Sequence, residues 1–383
     1  MNASLYDLSP ALRLMLTGIA LALGPLAWVW WRNHRSEPAR RLQALTLVTL
    51  FLTFDLVLFG AFTRLTDSGL GCPDWPGCYG EASPVGAHVE ISRAQAEMPT
   101  GPVTHGKAWV EMIHRYLATG VGVLITTLAA ATWLQRRRGM PVSPWWPIVT
   151  LAWVCLQGAF GALTVTMKLF PAIVTLHLLG GIVLLALLCA QAVAYERAQR
   201  LHAPASVAPP VRALLLAGFV LLWVQIALGG WVSTNYAVLA CSEFPACQGT
   251  WWPAMDFRQG FELWRELGKT SGGDHISFAA LTAIHYAHRL GAYVVLTLLA
   301  LLAWRLHQGG VLRRQARWIA GLALWQLATG LANVVLGWPL VAAVSHTGGA
   351  AALIVVLTWA LCESARAPEA VTAAQGSGRE VSA

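Results

Sequence analysis

Residues 111–115 read Glu-Met-Ile-His-Arg and open a long apolar run from Tyr116 to Leu134. A run of this length predicts a helix that spans a membrane. On that helix Glu111 and His114 share one face, so a metal or cofactor held by the imidazole would lie beside the carboxylate. Ionisable groups at membrane depth are costly and usually functional, which makes this segment the first candidate site.

The composition excludes an ordinary soluble domain. Of the 383 residues, 56% are hydrophobic and only 11% are charged, far from the balance of soluble proteins. The net charge of +8 comes from basic residues in short clusters between apolar runs, which indicates membrane topology rather than nucleic-acid binding. The chain is therefore predicted to be an all-α integral membrane protein that binds no nucleic acid.

Nine apolar runs are long enough to cross a bilayer, which takes roughly 20 residues. They lie near residues 12–31, 44–64, 110–134, 145–166, 171–195, 213–236, 279–304, 316–337 and 341–362. The first run lacks the basic start and the small-residue cleavage site of a signal peptide. We interpret it as a retained extra helix, with a bilayer anchor as its simplest role.

Arginine clusters orient the predicted helices. Four alternate connections carry them and are predicted to be cytoplasmic, namely residues 32–41, 136–138, 197–212 and 305–317. The long connections 65–109 and 237–278 carry many acids and are predicted to face outward. The tail 366–383 has no apolar period and is expected to be disordered on the cytoplasmic side. No organellar transit peptide precedes the first helix, which favours a bacterial inner membrane.

An internal repeat with a shift of 169 residues organises the chain. The shift aligns identical residues in both halves, namely Gly60/Gly229, Leu70/Leu239, Cys72/Cys241, Pro76/Pro245, Cys78/Cys247, Gln157/Gln326, Gly161/Gly330, Val165/Val334 and His177/His346. We predict two tandem four-helix transmembrane bundles related by a pseudo-twofold repeat, plus the extra helix. The predicted divisions are 1–37, 38–200, 201–365 and the tail 366–383.

Four intramembrane histidines are paired by the repeat. His177 corresponds to His346, and His114 corresponds to His288 after an insertion in the second long connection. Each half thus offers two imidazoles on different helices, which can clamp a planar metallocofactor such as haem. A single intramembrane histidine is more simply a hydrogen-bond partner of a neighbouring helix. The pairwise repetition favours the ligand interpretation.

The two halves differ three residues before the repeated His-Arg pair. The first half has Glu111 there, whereas the second half has His285. A carboxylate kept in only one copy suggests one catalytic haem and one electron-transfer haem. The simpler alternative for Glu111 is an ion pair with Lys107. His285 leaves the second-half ligand ambiguous, although the His-Arg match favours His288.

Other polar groups lie near these histidines. Arg64, Arg115 and Arg289 fall at the predicted outer membrane boundary, where guanidinium groups can pair with haem propionates. Snorkelling toward lipid headgroups is the simpler alternative. Asp55 lies deep in an apolar run and has Val224 as its counterpart, so a proton relay and a hydrogen-bonded structural acid both fit it.

The cysteines of the long connections form two identical spacings. Cys72 and Cys78 enclose five residues, as do Cys241 and Cys247. Because both connections are predicted to lie on the oxidising side of the membrane, two local disulfides are expected. Structural staples and redox-active pairs both fit this spacing.

Together these segments resemble the haem A synthase family. The resemblance covers roughly residues 44–362 and is carried by residues 60–70 (GAFTRLTDSGL), 72–76 (CPDWP), 111–115, 175–177 (TLH), 288–289 and His346. It implies oxidation of the ring D methyl group of haem O to a formyl group, which gives haem A for terminal oxidases.

The resemblance also implies roles for single residues. His114 and His177 would be ligands of the substrate haem in the first half, whereas His288 and His346 would be ligands of haem b in the second half. Glu111 would be the essential carboxylate, acting as a base or electrostatic partner while two hydroxylations give a gem-diol that loses water. Expected partners are haem O, supplied by haem O synthase, membrane lipid, an unidentified electron acceptor and, as an open option, further copies of the chain.

Three other functions compete with this interpretation. A quinone-linked di-haem b protein that only transfers electrons would not need Glu111. A membrane oxidoreductase that generates disulfides would need the four paired cysteines but no histidine clamps. A non-catalytic haem-transfer protein would leave the chemistry of its haem unchanged.

Overall fold

The computed structural model describes residues 9–199 and 204–366 of the chain. Within these ranges nine helices are long and apolar enough to cross a membrane, as predicted. They are α1 (Ser9–Asn33), α2 (Pro38–Leu65), α4 (His105–Arg137), α5 (Trp145–Thr166), α6 (Pro171–Gln199), α7 (Pro209–Thr234), α9 (Phe278–Gln308), α10 (Arg313–Val335) and α11 (Leu340–Glu363). Two shorter helices, α3 (His88–Glu97) and α8 (Phe257–Gly260), lie in the long connections. The all-α membrane architecture is therefore confirmed.

Polar residues set the ends of the helices that carry the site. The Thr104 hydroxyl accepts from the backbone N–H of Lys107 and caps α4, and Ser277 caps α9 in the same way. Such caps satisfy N–H groups that have no partner within the helix. Both helices therefore begin before their apolar runs, which places His114 and His288 about three turns inside them.

The helices pack as two rings of four. In the first half α2 contacts α4 and α6, and α5 closes the ring between them. In the second half α7 contacts α9 and α11, and α10 closes the ring. The two rings meet where α6 contacts α7 and where α2 contacts α11. The 169-residue shift relates α2 to α7 and α6 to α11, so the two contacts are equivalent. The tandem arrangement of the bundles and the division of the chain near residue 200 stay predictions.

The extra helix α1 packs on the first half, against α4 and α2. Gly18 lies so close to Thr119 that a Cβ atom at this glycine would collide with the threonine side chain. Close approach at a small residue is typical of packed membrane helices. The helix that the sequence suggested as a simple anchor thus supports the helix that carries Glu111.

A short parallel ladder joins the two ends of the second half. Strand β1 (Ala205–Val207), which precedes α7, pairs with β2 (Ser364–Arg366), which follows α11. The sequence predicts a disordered tail that begins at residue 366. This boundary is wrong, because the backbone of Arg366 pairs with that of Val207. Residues 367–383 of the predicted tail lie outside the described residues.

Candidate functional site

The four predicted histidines lie on four different helices, at the end of the molecule that carries the long connections. His114 is on α4 and His177 on α6, whereas His288 is on α9 and His346 on α11. All four side chains are partly buried. Each predicted pair therefore comes from two helices of the same ring.

His288 and His346 face each other in the second half. Their ring centroids are 6.4 Å apart, and the ring planes are inclined by 84°. An iron bound by one nitrogen of each ring, with metal–nitrogen bonds of about 2.0 Å and ring radii of roughly 1.1 Å, requires a centroid spacing of about 6.2 Å. The observed spacing of the two rings is close to this value, so these residues would fit a haem iron.

A glycine lies opposite each of the four imidazoles. A Cβ atom at Gly60 would be 3.0 Å from Cε1 of His114, and one at Gly229 would be 2.9 Å from Cε1 of His288. The glycines that face His177 and His346 are Gly161 and Gly330, with corresponding distances of 3.5 and 3.3 Å. Glycine occurs at the equivalent positions of both halves because each of these residues leaves room for a histidine ring.

Glu111 is buried and holds the loop of residues 72–78, which we call the first cysteine loop. Its Oε1 lies 2.5 Å from Nη2 of Arg115, and its Oε2 accepts a 2.8 Å hydrogen bond from the backbone N–H of Cys72. Lys107 instead donates to the carbonyl of Gly101. The Glu111–Lys107 ion pair considered above is therefore replaced by a buried pair with Arg115.

Arg115 and Arg289 occupy equivalent places beneath the two cysteine loops. Arg115 donates to the carbonyls of Pro76 and Gly77. Arg289 donates to three carbonyls of residues 243–246, all within the second cysteine loop, residues 241–247. Both guanidinium groups thus have backbone partners, and their contact with propionates stays a prediction.

His285 takes the place of Glu111 in the second half. Its Nδ1 lies 3.1 Å from the carbonyl oxygen of Ala237, and its Nε2 lies 3.4 Å from Nη2 of Arg289. Both ring nitrogens therefore face protein groups, whereas His288 faces the ring of His346. This geometry favours His288 over His285 as the iron ligand.

Arg64 lies where the two halves meet. It donates to the carbonyl of Ser233 at 2.6 Å, and its guanidinium covers the ring of Tyr236 at 4.1 Å. The phenol of Tyr236 donates to Asp67 at 2.5 Å, and partial burial raises the pKa of this phenol, which keeps it protonated as a donor. Arg64/Ser233 and Asp67/Tyr236 are repeat equivalents, so each residue touches its own counterpart.

Both predicted disulfides are present, Cys72–Cys78 and Cys241–Cys247, with Cα–Cα distances of 4.8 and 4.9 Å. All four cysteines are buried. The first bridge is bonded to the candidate catalytic group, because Cys72 donates its N–H to Glu111. The second bridge has no carboxylate at the matching position, where His285 stands.

Removal of each disulfide separately is therefore expected to have unequal effects. The Cys72→Ser/Cys78→Ser and Cys241→Ser/Cys247→Ser variants should each lose about 2 kcal/mol of stability through the freed chain entropy. The first variant should also lose activity, because the partner of Glu111 is released, and the second variant is its matched control. Thermal unfolding and product yield measure the two effects. Equal loss of activity in both variants would argue for redox-active pairs.

Fold and site together define a multi-pass membrane protein with a histidine pair in each half and a carboxylate beside one of them. The model of the cytochrome oxidase assembly protein family (COX15-CtaA) matches residues 43–358. The chain belongs to this family, which includes the haem A synthases that it resembles.

Haem A synthases from several bacteria are similar to the chain. The protein of Shewanella oneidensis is 39% identical over 317 residues, which cover 83% of this chain and 94% of the relative. The protein of Sinorhizobium medicae is 30% identical over 356 residues, covering 85% and 90%. That of Halalkalibacterium halodurans is 26% identical over 316 residues, covering 80% and 90%. The resemblance predicted from the sequence motifs is confirmed.

Proposed function

We propose that the chain is a haem A synthase, an oxidoreductase that converts the ring D methyl group of haem O to a formyl group. One observation carries this function beyond family membership. The repeat supplies an imidazole pair in each half, but a buried carboxylate, Glu111, in the first half alone. A protein that only transferred electrons between two haems would have no use for that difference.

The first half is the proposed substrate site. His114 and His177 are the proposed ligands of the haem O iron. Glu111 lies on the same helix as His114, three residues away. Arg115 and the N–H of Cys72 hold both oxygens of the carboxylate, so Glu111 is fixed before the substrate binds. A fixed charge of this kind stabilises developing positive charge or accepts a proton as the methyl carbon is oxidised.

The second half is the proposed site of haem b, with His288 and His346 as axial ligands. The centroid spacing of 6.4 Å supports this assignment. When bound, haem b supplies one-electron redox chemistry. Arg64, at the contact between the halves, is a proposed propionate contact together with Arg115 and Arg289.

The proposed location is a bacterial inner membrane. The arginine-rich connections favour a C-terminus on the cytoplasmic side and both cysteine loops on the periplasmic side. The proposed units are the extra helix 1–37 and the halves 38–200 and 201–365. Haem O would come from haem O synthase through the membrane, and further copies of the chain are an open option as partners.

Pigment analysis tests the proposed function. The chain is expressed in cells that make haem O, and the non-covalent haems are extracted with acid–acetone and separated by chromatography with mass detection. Haem A is expected with the chain and absent with the empty vector. Haem b alone in both extracts would contradict the synthase and favour the quinone-linked di-haem b protein.

Glycine replacement tests the ligand assignment of the second half. In a Gly229→Ala variant the new Cβ would lie 2.9 Å from Cε1 of His288, closer than the optimum of about 3.5–4.0 Å between carbons. The ring must move, so the haem b content should fall severalfold. Gly158→Ala is the control, because its Cβ would meet nothing within 4 Å. Alanine favours a helix over glycine, so lost helicity would not explain a loss of haem, which pyridine haemochrome spectra measure.

A further inference from the structure

The histidines of the second half have partners for their Nδ1 atoms. The hydroxyl of Thr329 lies 2.9 Å from Nδ1 of His346 and donates to the carbonyl of Trp325 at 2.8 Å. Because its one proton is used there, the hydroxyl accepts a hydrogen bond from Nδ1–H of His346. This tautomer leaves the lone pair of Nε2 free for a metal.

His288 has a similar neighbour on another helix. The side-chain amide of Gln225 lies 3.0 Å from Nδ1 of His288 and 2.9 Å from its carbonyl oxygen. The amide thus contacts both the ring and the backbone of His288, which fixes the orientation of this ring.

The first half lacks both partners. Nδ1 of His114 and Nδ1 of His177 are buried and have no hydrogen-bond partner among the described residues. The residues equivalent to Gln225 and Thr329 under the repeat are Leu56 and Phe160, which cannot bond to an imidazole. His114 instead stacks on the ring of Phe59, with 6.2 Å between centroids.

We infer that Gln225 and Thr329 are positioning residues that make His288 and His346 permanent ligands, whereas His114 and His177 are built to release their haem. A partner on Nδ1 fixes the tautomer and ring orientation of a ligating histidine and raises its basicity. A histidine without one is a weaker donor whose ring no hydrogen bond orients, which suits a site that must exchange substrate for product. This inference rests on the proposed function, in which the second half keeps haem b and the first half turns haem over.

Substitution at position 329 tests the inference without an activity assay. Loss of such a partner typically lowers metal affinity about 10- to 100-fold, so the Thr329→Val protein should release haem b to apomyoglobin at least about tenfold faster than wild type. If the substitution weakens the binding of ferric haem b tenfold more than that of ferrous haem b, the midpoint potential rises by about 59 mV. Gln225→Leu, which copies the first half, should act in the same direction. The ferric EPR spectrum should also change as the rings leave their 84° inclination.

Two variants serve as controls. Thr329→Ser keeps the hydroxyl and should retain the wild-type potential and release rate. Thr358→Val removes a buried hydroxyl of α11 that has no hydrogen-bond partner within the described part of the chain, so it reports the cost of the substitution itself. The inference is overturned if Thr329→Val and Gln225→Leu change the release rate and the midpoint potential of haem b no more than Thr358→Val does. Failure of the proposed function looks different, because the extracted pigments would then contain haem b and no haem A, whatever the release rates of the Thr329 and Gln225 variants.

Discussion

A Glu111→His variant is expected to make no haem A while it keeps its fold and its haem b. Histidine is the residue that the second half carries at this position, where His285 lies beside Arg289 with 3.4 Å between Nε2 and Nη2. The substitution is therefore one that this fold already accommodates. General acid–base groups contribute about 10²–10⁴-fold to a rate, so haem A should fall at least about a hundredfold in acid–acetone extracts.

Glutamine and alanine at position 111 separate the charge from its structural role. Glutamine keeps an acceptor for the N–H of Cys72 but turns its NH2 group toward Arg115, so Glu111→Gln should lose less stability than Glu111→Ala yet fail to make haem A. Alanine leaves Arg115 buried without its partner, which costs about 3–5 kcal/mol, so Glu111→Ala should lose stability as well. If the histidine and glutamine variants convert haem O at the wild-type rate, Glu111 serves only to hold the first cysteine loop.

Hydropathy predicted the membrane spans because only apolar side chains can face lipid. It did not predict where the helices end. Helix α4 was expected at 110–134, but it runs from His105 to Arg137. Its start follows from the Thr104 cap and its end continues through arginines, since backbone hydrogen bonds do not require apolar side chains. The β1–β2 ladder was missed because three-residue strands far apart in the chain carry no periodic signal.

The repeat predicted the histidine pairs because identical residues at one shift mark equivalent places in space. It did not predict their partners, since a hydrogen bond to an imidazole depends on the direction of a side chain on another helix. One signal was available in the sequence. Gln225 and Thr329 are polar residues in apolar helices at positions where the first half has Leu56 and Phe160, and such a break in a repeat marks a difference in role.

The arginines illustrate a second limit of sequence reasoning. Their position at the membrane boundary indicated an anionic partner, and haem propionates fit that charge. Arg115 and Arg289 also donate to carbonyls within the loops that the disulfides close, which no local pattern reveals. Asp55 was expected deep in its helix, and its side chain lies on an exposed face of α2, as does that of Val224 on α7.

A His346→Ala variant is expected to lose haem b, whereas His177→Ala keeps haem b and makes no haem A. His346 faces His288 at the spacing of an axial pair, so its loss leaves the iron one protein ligand and should empty the site almost completely. Loss of His177 affects only the proposed substrate half. Pyridine haemochrome spectra of the purified proteins measure haem b, and extracted pigments report haem A. His307→Ala, at an exposed position of α9, is the control for histidine removal.

The two variants remove the same side chain from equivalent positions of the repeat, so any contrast between them reports the roles of the halves. The reverse result, with haem b lost in His177→Ala and kept in His346→Ala, would place the resident haem beside Glu111. The geometry argues against that arrangement. It would leave the substrate in the half that has His285 in place of the carboxylate. The resident haem would then be held by imidazoles whose Nδ1 atoms have no hydrogen-bond partner in residues 9–199 and 204–366. A half that binds its haem permanently needs the fixed ligands, and a half that oxidises a methyl group needs the charge.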